Sequence, residues 1–132
     1  MSLPPSEILD QLGAAERIAF ARVFAAPASR PQELAARLAA HGQEIAEAAA
    51  RNEFLDTRAA GVIAHALTAA LDDWDRLAPA QREVLQAAVG YFVLREDAED
   101  DLDSVLGFED DVAVVNACLR FLGRESLSIE TI

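Results

Sequence analysis

The chain contains no lysine, and all eleven of its basic residues are arginine. Against them stand 23 acidic residues, for a formal charge of −12. A nucleic-acid surface needs a basic stripe along the phosphates, and docking on anionic lipid needs a basic patch; this charge balance excludes both. Cysteine occurs once, at Cys118. No intrachain disulfide can form, which points to a reducing, cytoplasmic compartment. Met1–Ser6 has no basic n-region and no apolar run follows it, so no signal peptide is expected. No stretch approaches the roughly 20 apolar residues of a transmembrane helix. There is no period-two alternation bounded by turn residues, so strands are not expected either.

Aromatic residues are scarce too, at 6 % of the chain, yet hydrophobic residues make up 52 %. Alanine supplies much of the difference. It is the best helix former and fills little core volume, so the composition calls for closely packed helices. A length of 132 residues suits one domain with a real core. The expected fold is all-α: a single domain over 1–132, an irregular bundle of about five helices.

Punctuation divides the chain. Ser6, after Pro4-Pro5, caps a first helix that runs to about Ala25 before Pro27 stops it; Leu9, Leu12, Phe20, Val23 and Phe24 are its apolar side. Ser29 opens the second, with Pro31 in the first turn and Gln32 at capping-box spacing. Leu34, Leu38, His41, Ile45 and Ala48 follow at steps of four and three, on one face. The third helix is capped by Asp56 and carries Val62, Ile63, Ala66, Leu67, Ala70, Leu71 and Trp74. Asp72 and Asp73 near its end oppose the helix dipole and call for an arginine such as Arg76. The fourth runs from Ala78-Pro79 to about Arg95, apolar except for a strip of Glu83, Gln86 and Gly90. The fifth spans about Glu109 to Leu122, with Gly123 as its stop. It is apolar nearly all round, Asn116 and Arg120 excepted, and so belongs in the interior as one arm of a central antiparallel hairpin with the fourth. Residues 124–132 read as a loose tail.

Between these last two helices, residues 96–111 hold nine acids and no base. Nine of the twelve net negative charges sit there, leaving −3 for the rest. Helix capping accounts for Glu109, Asp110 and Asp111, because acids in a first turn offset the positive end of the dipole by about 0.3–1 kcal/mol each. Asp97, Glu99, Asp100, Asp101 and Asp103 have no such explanation and no local basic partner. They are the candidate interaction residues, facing arginine from elsewhere or from a basic protein partner. The other candidate cation is Ca²⁺ or Mg²⁺, which favours carboxylate oxygens. Acids at positions 1, 3, 5 and 7 suggest an EF-hand, but Leu102 stands where its glycine is required and Phe108 where its bidentate glutamate belongs.

Tyr91-Phe92-Val93-Leu94, Asp97, Asp101, Gly107-Phe108 and Asp110-Asp111 followed by Val112–Val115 carry a resemblance to the YkvA-like family of small bacterial helical domains of unknown function. It covers about residues 82–122. The family's turn prolines fall on Arg95, Asp100 and Ser104 here, which implies a looser and more charged turn. The resemblance implies a helical hairpin that brings Asp97, Asp101, Asp110 and Asp111 near one another, and these four are the candidate ligands if a divalent cation binds. It implies no reaction.

Catalytic signals are thin. There is no glycine-rich phosphate loop and no nucleophile elbow. His41 and His65 lack the spacing of a metal pair, and Cys118 has no histidine close in sequence. Glu44 and Glu47 followed by Asp72 and Asp75 are similar to the paired acids that hold Mg²⁺ in the MazG family of all-α nucleotide pyrophosphohydrolases, although the second pair has the wrong first acid. The leading expectation is a non-enzymatic interaction module with no resident cofactor, whose acidic segment binds a basic protein; self-association through alanine-rich faces is a further possibility. The alternatives are divalent-cation binding and Mg²⁺-dependent nucleotide hydrolysis.

Overall fold

A computed structural model describes residues 5–25, 29–51, 58–98 and 109–124. Within them are six α-helices and no strand: α1 (Ser6–Leu9), α2 (Ala14–Phe24), α3 (Pro31–Arg51), α4 (Arg58–Asp72), α5 (Pro79–Ala98) and α6 (Glu109–Phe121). A single 3₁₀ turn, Trp74–Arg76, links α4 to α5. The all-α expectation holds.

The expected first helix is two helices. Gly13 is extended, with ψ of 171°, and α2 begins directly after it. Glycine is the weakest helix former after proline, and the break satisfies two packing demands at once. Ile8 of α1, Leu12 of the turn after it and Phe20 of α2 are all buried, and α1 packs on α6 while α2 packs mainly along α5. The Arg17 Nε donates to the Leu12 carbonyl at 3.0 Å, across the break.

α3 follows its pattern. Leu34, Leu38, His41, Ile45 and Ala48 are its buried residues. Pro31 is the first helical residue, but the cap differs from expectation. The Arg30 carbonyl accepts from Glu33 and Leu34, one residue later than the capping-box spacing indicates. Ser29 instead donates its backbone N–H to Oε1 of Gln86 at 2.8 Å, tying the entry of α3 to α5. The expected cap of α4, Asp56, lies outside the described residues. α4 ends at Asp72, so Trp74 sits on the 3₁₀ turn and not on the helical stripe. The Arg82 guanidinium lies 5.5 Å from the Trp74 ring centroid, and its Nε donates to the Trp74 carbonyl at 2.9 Å. This double contact bends the chain into α5. At the start of α5 the Gln81 side chain reaches back to accept from the Ala78 N–H at 2.8 Å, the reciprocal half of a capping box.

The last two helices form the centre. α5 packs against α2, α3, α4 and α6, and α6 packs against α1, α2, α4 and α5, with the α5–α6 contact the most extensive among the described residues. Four neighbours explain why both are apolar on nearly every side. Val84, Leu85, Ala87, Ala88, Val89, Tyr91 and Phe92 of α5 are buried, as are Val112, Val114, Val115, Ala117, Cys118 and Leu119 of α6. α2 passes over α5 at Gly90, where an added Cβ would lie 3.4 Å from that of Val23, an ordinary van der Waals contact. α6 ends as its glycine indicates. Gly123 has φ of +72°, a conformation that costs an L-residue about 1 kcal/mol or more. The Arg124 N–H donates to the Leu119 carbonyl at 2.8 Å and the Gly123 N–H to that of Arg120 at 3.1 Å, the paired bonds of a Schellman stop.

Candidate functional site

Of the two acids at the end of α4, Asp73 is met by arginine. Asp73 pairs with Arg76 at 3.9 Å and, more closely, with the Nε of Arg124 at 3.1 Å. Arg76 is the partner its spacing indicates. Arg124 is 51 residues away in sequence and no local pattern reveals it. This bond places the end of α6 beside the turn that leads into α5, as an antiparallel α5–α6 pair requires. The Arg120 Nη1 donates to Oε1 of Gln11, joining α6 to the turn after α1.

At the opposite end of that pair, ten residues join the last residue of α5, Ala98, to the first of α6, Glu109. The backbone of Asp97 lies in the last turn of α5, and those of Asp110 and Asp111 in the first turn of α6. Their side chains, and Glu99, Asp100, Asp101 and Asp103 entirely, lie outside the described residues. The residue range 124–132, expected as a tail, is described only at Arg124, which the Schellman stop and Asp73 hold in place.

Elsewhere the titratable side chains are dispersed. His41 is buried at 4 % exposure, with its ring edge-on to that of Phe92 at 4.7 Å between centroids. Its Nδ1 lies 3.8 Å from a carboxylate oxygen of Glu44, one turn further along α3. His65 faces solvent from α4. Cys118 is fully buried, and burial pushes its thiol well above the ordinary value, so it is protonated at neutral pH and shielded from reagents. Glu44, Glu47, Asp72 and Asp75 are all exposed, and Asp75 sits on the 3₁₀ turn and not on a helix with Asp72. Among the described residues no three His, Cys, Asp or Glu side chains gather into a metal-binding group, and these four are no exception.

One surface feature was not anticipated. Gly42, Ile45, Ala46 and Ala49 of α3 and Ala60, Gly61 and Ala64 of α4 line a shallow apolar groove of about 410 Å³. Its sequence signal is two glycines within helices, Gly42 and Gly61. A Cβ on either would meet nothing within 4 Å. Each glycine therefore costs helix stability with no packing return inside the described structure. Gly42→Ala and Gly61→Ala are each expected to stabilise the fold by about 0.5–1 kcal/mol. Each gain is read as an increase in the urea midpoint at constant m-value.

No helix among the described residues is long and apolar enough to cross a membrane. No protein-family model, curated protein or solved structure matches the chain.

Proposed function

We propose that this protein is a non-enzymatic interaction module that presents the acidic connection between α5 and α6 to a basic protein partner. The observation that carries the reading is the coincidence of charge and anchorage. Nine of the twelve net negative charges fall in residues 96–111, and the helices on either side are the two most thoroughly packed among the described residues. A dense acidic segment carried between two helices whose bodies are buried, α5 as far as Phe92 and α6 from Val112, offers a basic surface a concentrated field without requiring the helical body to rearrange. Such a field acts mainly on the rate and orientation of encounter. Binding should therefore weaken steeply with salt, because exposed charges are screened within about 10 Å at 0.1 M ionic strength. On this reading the unit of about residues 82–122, which resembles the YkvA-like family, is the functional part, and α1 to α4 are its support.

The test is capture of basic proteins from a host lysate by the immobilised chain. The variant changing Asp97, Asp100, Asp101 and Asp103 together to Asn is expected to lose capture at 50 mM salt while its melting temperature stays within a few degrees of wild type. Undiminished capture by that variant overturns the proposal.

A second reading has one observation in its favour. The last turn of α5 and the first turn of α6 are joined by ten residues and belong to closely packed helices, so the backbones of Asp97, Asp110 and Asp111 lie towards the same end of the pair. With Asp101 they supply a set of oxygen ligands of the kind that Ca²⁺ and Mg²⁺ favour. A bound ion stabilises the folded state by RT ln(1 + [M]/Kd), about 2.7 kcal/mol at a hundredfold excess over Kd. On this reading, calorimetry with Ca²⁺, Mg²⁺ or Mn²⁺ yields a saturable heat and the melting temperature rises, and both effects vanish in the variant carrying Asp110→Asn and Asp111→Asn. A flat titration with an unmoved melting temperature removes the reading.

A further inference from the structure

We draw no further inference here: the strongest candidate, the shallow groove between α3 and α4 around Gly42, Ala46, Gly61 and Ala64, is a stripe of small apolar side chains, and nothing in the structure shows what covers it.

Discussion

Phe92→Ala is expected to destabilise the fold by about 3–5 kcal/mol. Phe92 is 1 % exposed and lies on α5, the helix that contacts α2, α3, α4 and α6. Its ring meets that of His41 edge-on, with the two planes at 89°. Such a contact contributes about 0.5–1.5 kcal/mol beyond the apolar area it buries. Truncation leaves a cavity that rigid helices on several sides cannot close, and it strips the His41 ring of its neighbour. Against a total stability of about 5–15 kcal/mol, this is a large share. The loss should be uneven. α3 has its main contacts with α4 and α5 alone, so a cavity at the α3–α5 contact loosens α3 first. Hydrogen exchange in the variant is expected to speed up around Leu38 to Ile45 before it does so in α6. Phe92→Leu keeps most of the volume and should cost about 1–1.5 kcal/mol. It also guards the test if the alanine variant does not fold. An unfolding free energy for Phe92→Ala, obtained from urea titration, within about 1 kcal/mol of wild type would contradict this account of the core.

The contrast between α3 and the first helical stretch shows what a sequence pattern can specify. In α3 five residues at steps of four and three lie on one stripe among charged and small positions, and all five are buried. Only one orientation hides such a stripe. Glycine at 123 was equally informative, because a helix stop with positive φ strongly favours that residue. Before Ala25, apolar residues continue on both sides of Gly13, and the periodicity does not reveal that the stretch divides into α1, packed on α6, and α2, packed mainly on α5. That division is a property of the tertiary arrangement. Val62 makes the same point from the other side. It extends the apolar stripe of α4 in sequence, yet it is 47 % exposed, because α4 turns Ile63, Ala66, Leu67 and Ala70 to its neighbours and Val62 falls about 100° away from Ile63. The bond from Arg124 to Asp73 joins residues that no local pattern relates. The candidate site was legible as charge and as position between two buried helices. Its internal arrangement was not, because a run of acids has no apolar period and thus no face whose burial dictates a path.

The same core makes a prediction about pH that the chain's composition keeps simple. Cys118 is fully enclosed in α6, and desolvation raises its thiol pKa far above the ordinary value of about 9. In the unfolded chain the thiol ionises at its ordinary value, while in the folded protein it stays protonated well beyond it. Unfolding above about pH 9 therefore releases a proton. The stabilising contribution is fully present below that pH and is lost as the pH rises through and beyond it. Each further unit reduces the folding equilibrium about tenfold, so roughly 2–3 kcal/mol is lost by pH 11. In most proteins lysines titrate in the same window and obscure such a slope; here there are none, and arginine stays charged throughout. Measured in a Tyr91→Phe background, which removes the one tyrosine, urea midpoints between pH 8 and pH 11 are expected to fall steadily. Adding Cys118→Ala should flatten that fall, at the cost of a modest and pH-independent loss of packing. Native protein should also resist a thiol reagent at pH 8 and react within the dead time once unfolded in urea. A midpoint that declines equally with and without the thiol would mean that Cys118 is not enclosed as the packing of α6 against α1, α2, α4 and α5 requires.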